Sequence, residues 1–444
     1  MKDQEPKPTR SPSRSRARRQ FLVSAALGSA QLALISSPLK ALSPGLFASG
    51  MPLPSASKKT VVVVYLRGGA DALNIVVPWG DKNYSRYRPG IGILTKPAKA
   101  QDSVWKLDDK FGLHPALSDL KAAWSKKQLA PIVCTGSPHP TRSHFDAQDF
   151  MEYAAPGMRT VKEGWLNRYL SLAANKQGDR RLRGLTMQRL LPRSLRGRYP
   201  VLAVPTRRQR EIDDVLDVFD DLYGGAPSSS MEGGKRRKDD SGGAVAVGQE
   251  TIAALRELFE VLEKKGDLAG SKKLPRYSLA SKLLRVARVI KADAGLEVVA
   301  IDTGGWDTHT NQGGAVGNMS RKLKDVGSGL ATFAKELGDE KMKDVLVLVM
   351  SEFGRTCLEN GNKGTDHGHG SCMLALGGTV DGGKVHGKWP GLDSKKLYQG
   401  RDLQVTTDFR EIFRQTLENH LGQALPKGFF PGFKVPRRGI SLFV

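Results

Sequence analysis

Polar and apolar positions along the chain follow two alternating periods. Residues 61–66, Val-Val-Val-Val-Tyr-Leu, form an unbroken apolar run closed by Arg67-Gly68-Gly69. A β-branched run of that length, ended by glycines, predicts a strand buried on both faces of a parallel sheet. Residues 130–134, 297–301, 345–350 and 372–376 predict further strands of the same kind. Between them the helical period takes over. Leu117, Leu120 and Trp124 mark a helix over 114–128, and Leu323, Val326, Leu330, Phe333 and Leu337 mark one over 319–337. Residues 147–153, 165–174, 278–292 and 409–421 read as helices too. Strands alternating with helices predict an α/β fold, a mostly parallel sheet sandwiched by helices, over residues 59–444.

Two stretches break the pattern. In residues 1–50 a polar segment ends in Arg18-Arg19-Gln20-Phe21-Leu22 and runs into small apolar residues up to about Ile35. That apolar run is shorter than the ~20 residues a spanning helix needs. Twin arginines, a following aromatic and a weak apolar region predict a Tat-type signal peptide and linker, with cleavage near Leu39-Lys40-Ala41 or Ser55-Ala56. The expected partner is the Tat export machinery, the expected location the periplasm or another exported site, and no membrane span is expected after cleavage. The second stretch is charged and amphipathic over 207–223 and 250–265, with a Gly/Ser-rich and basic loop between. Residues 205–295 therefore read as a helical insertion or cap.

Composition adds the sign of the surface. The 444 residues hold 69 Lys and Arg against 45 Asp and Glu, a net +24, of which the first fifty residues account for +6. Such a surface attracts anions without choosing among them. No basic run is interleaved with aromatics, so a specific nucleic-acid site is not expected. Three scattered cysteines exclude a disulfide scaffold or a zinc ribbon.

In a parallel sheet the loops at the carboxyl ends of the strands form the ligand crevice. Five of the eight histidines fall in those loops: His139, His144, His309, His367 and His369. Carboxylates accompany them, and imidazole with carboxylate suits a divalent ion such as Zn, Mg, Mn or Ca. Asp307 and His309 alternate along an extended segment, so both face one side, where they share a ligand or simply bond each other. Asp366-His367-Gly368-His369 is the densest cluster. Asp71 beside Gly68-Gly69 reads as a tight turn as well as a ligand, and Glu352 with Arg355 as a salt bridge as well as a site.

Taken in order, five stretches resemble the exported domain-of-unknown-function family numbered fifteen-oh-one, within the alkaline-phosphatase-like superfamily. They are residues 66–74, Arg142-Ser143-His144-Phe145-Asp146-Ala147-Gln148, residues 302–309, Ser351-Glu352-Phe353-Gly354-Arg355-Thr356 and Asp366-His367-Gly368-His369-Gly370. The resemblance implies a parallel-sheet core, typically two divalent metals, and hydrolysis or transfer of phosphate or sulfate esters. It would make Asp71 a metal ligand, Ser143 or Thr141 the nucleophile, Asp307 and His309 the later Asp/His pair, Glu352 the acidic strand-end residue, and His367 or His369 the last histidine. The sulfatase motif Cys/Ser-x-Pro-x-Arg is absent, because Thr135-Gly136-Ser137 follows Cys134.

The expectation is an exported metal-dependent hydrolase of phosphate or sulfate esters, acting on an anionic small molecule or polymer. Its ligands would come from Asp71, Asp307, His309, Glu352, Asp366, His367 and His369. Arg142 and Arg355 would steady anionic oxygens, and His144 would be acid/base or ligand. The alternatives are a non-catalytic metal- or anion-binding protein of the cell envelope and a charge-driven surface anchor.

Overall fold

A computed structural model describes residues 59–177, 182–204, 258 and 278–444. These belong to the compact unit formed by residues 51–206 and 257–444. The expected signal, the charged helices and the Gly/Ser-rich loop lie outside the described residues.

Eleven strands are present among the described residues. They are β1 (Thr60–Leu66), β2 (Val76–Val77), β3 (Trp105–Lys106), β4 (Gly112–Leu113), β5 (Leu129–Gly136), β6 (Gly184–Thr186), β7 (Leu202–Ala203), β8 (Val298–Thr303), β9 (Val345–Met350), β10 (Ser371–Gly377) and β11 (Thr407–Asp408). Eight of them form one sheet in the order β11-β5-β10-β9-β1-β8-β6-β7, while β2, β4 and β3 make a small second sheet. β1 pairs in parallel with β8 on one side and β9 on the other. Only β10 runs against its neighbours β5 and β9. The sheet is therefore mostly parallel, as the apolar runs predicted, with one reversed strand that their composition did not distinguish.

The valines of β1 are buried on both faces. Val61, Val63 and Tyr65 pack with Trp165, Leu166 and Tyr169 of α1 (Trp165–Gln177) and with Phe409, Ile412 and Phe413 of α2 (Phe409–Gln415). The Trp165 and Phe413 rings stack with centroids 4.1 Å apart. On the other face Leu66 lines a small apolar pocket with Leu323 and Val326 of α3 (Asn318–Met342), which packs along α4 (Leu279–Lys291). α5 (His144–Glu152) starts at the crevice. Burying each such valine contributes about 1.5–2 kcal/mol, so two-faced packing fixes the register of β1 strongly.

Local differences from the predicted elements have local causes. The helix expected over 114–128 begins as a tight 3-10 turn, Pro115–Leu120, capped by His114, and turns α-helical only at Lys121–Ser125. α3 breaks at Gly338, φ 72°, where the pattern predicted its end, and resumes to Met342. The helix expected over 409–421 passes from α2 into a π-turn at Thr416–His420. Within the expected insertion, α4 buries Leu279, Leu283, Val286 and Ile290 and belongs to the same unit as the sheet, as a layer of the sandwich.

One consequence of topology places the site. Leu66 pairs with Thr303, and Tyr65 with both Asp302 and Met350, so β1, β8 and β9 end side by side. Because β10 is antiparallel, its first residue, Ser371, lies opposite Thr135 near the end of β5. Loops 67–71, 137–143, 304–309, 351–356 and 366–370 thus meet at one edge. Among the described residues, no helix is long and apolar enough to cross a membrane. Cys134, Cys357 and Cys372 are free and buried.

Candidate metal centre

Four of the expected residues converge. His309 Nε2 lies 3.0 Å from His367 Nε2 and 3.1 Å from Asp307 Oδ1. His367 Nε2 is 3.3 Å from the same oxygen, and His144 Nε2 is 3.5 Å from Asp307 Oδ2. The donor atoms of His144, Asp307 and His367 all lie within 4.8 Å of one another, and theirs is the one such metal-type group among the described residues. The superfamily resemblance implied two metals; these residues gather around one position.

Each ring is held from behind. His144 Nδ1 is 2.8 Å from Glu352 Oε1, His309 Nδ1 is 2.9 Å from Asp366 Oδ1, and His367 Nδ1 is 2.8 Å from the carbonyl of Arg142. All three partners are oxygens that only accept, so every Nδ1 carries the hydrogen. In the neutral rings, every Nε2 is then a bare lone pair. Two such lone pairs, from His309 and His367, face Asp307 Oδ1, and the third, from His144, faces Oδ2 of the same carboxylate. Two lone pairs 3.0 Å apart repel unless a positive charge lies between. His144 Nε2 is moreover buried and has no hydrogen-bond partner. The donor set fits a cation.

The local backbone explains the convergence. His144 opens α5, with Ser143 as its N-cap residue. Residues 354–356 and 366–369 bond across one another: Gly354 N–H donates to His369 O, Gly368 N–H to Gly354 O, and Thr356 N–H to Asp366 O. Gly68, at φ 122°, touches the backbone of Asp307 so closely that an added Cβ would stand 2.6 Å from Asp307 N. Only glycine permits that approach.

Electrostatics follow the same division. Burial opposes charge on Asp307, yet the hydrogen bond and charge of Arg355 outweigh it and bring the carboxyl down to about 2. Burial likewise opposes charge on Glu352, but bonds from His144 and Gln148 hold its pKa below the ordinary value. The Glu352 hydrogen bond raises His144, while burial lowers His367.

Several expected roles change. Asp71 is not at the cluster: it is buried, paired with both terminal nitrogens of Arg88, and its Oδ2 accepts from Gln312 Nε2 at 2.6 Å. Both of its oxygens are already engaged, by Arg88 and Gln312, away from the imidazoles. Glu352 and Asp366 stand behind rings and do not face the focus themselves. His369 lies elsewhere, half of a stack with Tyr398 at 4.1 Å. Arg355 is buried and its guanidinium is spent on Gly69 O, Thr365 O, Gly68 O and Asp307 Oδ1, so it positions Asp307 and has no free edge for an anion. Arg142 pairs with Asp402 at 2.6 Å and with Gln399 at 2.8 Å. Thr141 Oγ1 accepts from Ser143 N–H at 3.2 Å. Ser143 is exposed, and its hydroxyl makes no capping bond to α5.

The sequence reading assigns no role to three supporting residues. Gln148 donates to Glu352 at 2.9 Å, Asn360 to Asp366 at 3.1 Å, and Arg88 neutralises Asp71. Gln148 alone carried a signal, since it lies four residues after His144 on one helix face.

No curated protein matches the chain. Among solved structures, Ps i-CgsB in complex with k-i-k-neocarrahexaose is similar at 10% identity and a TM-score of 0.35, over 84% of this chain and 73% of that one. Alkaline phosphatase from the Antarctic bacterium TAB5 is similar at 11% identity and a TM-score of 0.29, over 73% and 92%. A protein in the alkaline phosphatase superfamily from Vibrio parahaemolyticus is similar at 9% identity and a TM-score of 0.33, over 92% and 80%. From residue 58 to residue 424 the sequence matches the family described as protein of unknown function (DUF1501), and the chain belongs to that family.

Proposed function

We propose that Asp307, His144, His309 and His367 hold one divalent cation, and that the chain is an exported metal-dependent hydrolase of phosphate or sulfate esters. The observation that carries this reading is the meeting of three imidazole Nε2 atoms with one carboxylate, each ring's Nδ1 being already bonded to an oxygen behind it. Three nitrogen donors favour zinc over magnesium or calcium, which prefer oxygen. His309 and His367 lie 3.0–3.3 Å from one another and from Asp307 Oδ1, a spacing that suits two ligands of a zinc ion with bonds of about 2.0–2.2 Å, while His144 lies 3.5 Å from the other Asp307 oxygen. When bound, the ion would neutralise charge on the transferring group and acidify an attacking hydroxyl or water.

The chain's own residues do the positioning. Glu352, Asp366 and the Arg142 carbonyl fix the three rings, and Arg355 fixes Asp307. The Asp307 and His309 side chains remain 43% and 41% exposed, so the cluster has an open face toward solvent. Ser143, exposed, adjacent to His144 in the chain and free of capping duty, is the attacking hydroxyl in this reading. The basic surface would draw an anionic substrate. Export through the twin-arginine signal of residues 1–50 is part of the same reading.

The experiment is metal analysis of the natively exported protein, followed by a panel of phosphate and sulfate monoesters. One divalent ion per chain, and turnover lost in Ser143→Ala with the metal kept, is the expected result. Protein that retains no divalent metal would refute it. A second reading, a non-catalytic metal-binding protein of the envelope, is favoured by the number of donors: three imidazoles and a carboxylate could fill a cation's coordination without leaving a place for substrate. It predicts full metal content, no turnover on any ester, and a loss of thermal stability on chelation.

A further inference from the structure

Beside the cation cluster, and sharing Asp307 with it, lies a cavity of about 450 Å³. One wall is the backbone turn of Gly304 and Gly305; the other is the first turns of α3, with Asn318, Arg321 and Lys322. The wall at Gly304 is open, since a side-chain carbon added there would meet nothing within 4 Å. Lys322 Nζ already reaches Gly304 O at 3.1 Å, and Arg321 bonds Asn318. The acidic groups on this lining are Asp307 and Asp325. Asp307 is turned to Arg355 and the imidazoles, and Asp325 accepts from Leu279 N–H at 3.2 Å. The cavity thus presents Arg321, Lys322 and hydrogen-bonding backbone; of its two carboxylates, Asp307 is paired with buried Arg355 and Asp325 has one oxygen bonded to the Leu279 N–H.

A space of this size admits a group as large as a sugar ring next to whatever occupies the cluster. We propose that it is a subsite for a second anionic group, so that the substrates are esters carrying two negative groups about one sugar ring apart, with Arg321 and Lys322 selecting the non-reacting one. This rests on the metal-centre reading for the first group. For the second, it rests on the cavity and its charge alone.

The test is calorimetric binding to the full chain, without turnover, using fructose bisphosphate and, as the single-anion control, fructose monophosphate. Wild type is expected to bind the bisphosphate about tenfold or more tightly than the monophosphate, the scale of one or two charge-assisted hydrogen bonds. Arg321→Ala/Lys322→Ala should reduce that ratio to less than about threefold and leave monophosphate binding and metal content unchanged. Arg437→Ala/Arg438→Ala removes equal charge from an exposed segment that does not line the cavity, and should leave the ratio intact. Equal affinity for the two sugars in wild type, or an undiminished ratio in the cavity variant, overturns the subsite. So does an equal loss in the control variant, because general surface charge would then suffice. Absence of ester hydrolysis would sink the hydrolase reading and leave this ratio as informative as before.

Discussion

Replacing Glu352 by glutamine is the sharpest probe of the metal centre, because it removes charge and almost nothing else. Glu352 Oε1 accepts from Gly68 N–H at 2.9 Å, Gln148 Nε2 at 2.9 Å and His144 Nδ1 at 2.8 Å. An amide oxygen at that place accepts the same three. Glu352 Oε2 lies 3.0 Å from Ser351 Oγ, whose hydrogen is also drawn to Leu66 O at 2.6 Å. An amide NH₂ there would donate one hydrogen to Ser351 Oγ, so the contacts that hold His144 and Gln148 remain and the fold should survive. What disappears is the negative charge behind His144 that makes its ring a better donor. Carboxylates in this position are worth about 10–100-fold in metal affinity, or about 1.4–2.7 kcal/mol. Zinc affinity, measured by competition against a chromogenic chelator, should fall by that factor in Glu352→Gln with the far-ultraviolet spectrum unchanged. The effect must also vanish in a His144→Ala background, since the coupling runs through that ring. A loss of less than twofold, or an equal loss without His144, would refute the assignment of Glu352 as the support of a ligand.

The other predictions concern what does and does not touch the ion. Asp307→Asn should lower bound metal at least about 100-fold, read by elemental analysis, because it removes the only charged donor. Asp71→Ala should destabilise the fold by about 3–5 kcal/mol by stranding buried Arg88, in denaturant titration, while zinc affinity stays within twofold; a collapse of affinity would restore Asp71 as a ligand. Burial lowers His114 and His420 to about 4. His114 Nε2 donates to Gly314 O and its Nδ1 caps Ala116 N–H, while His420 Nε2 donates to Thr60 O and its Nδ1 accepts from Thr379, so both fold as neutral rings. A depressed folded pKa leaves stability intact above about 6.5 and drains it as pH falls toward 4, by up to about 3 kcal/mol per histidine. Unfolding free energy measured across that interval should fall accordingly, and should fall less in His114→Asn, whose amide oxygen can still cap Ala116.

The sheet was legible because its strands are apolar on both faces, a pattern that amphipathic helices do not share. Residues 61–66 and 345–350 could hardly be anything else, and they became β1 and β9. The short strands β6, β7 and β11 were not visible. Two or three residues carry no period, and their pairing is fixed by neighbours far along the chain. The direction of β10 was hidden for a related reason: a buried strand has the same composition either way, and only its connections set its sense.

The centre was legible to a different depth. Sequence spacing identifies which side chains are able to ligate, and Asp307, His309, His367 and His144 were all named from it. It does not say which of those groups has its hydrogen-bonding capacity already used. Asp71 and Glu352 are the same chemistry as Asp307 on paper. In the fold, Arg88 claims Asp71, and Gly68, Gln148 and His144 claim Glu352. Asp307 meets one buried arginine and keeps a face toward three bare nitrogens. Proposed ligands are therefore distinguished from supports by subtraction: donors and acceptors already satisfied within the protein drop out, and those left facing one another are the ones the proposed ion would join. That subtraction requires the contacts of Arg88, Gln148 and Asn360, residues whose types announce nothing and whose places are decided by the sheet topology.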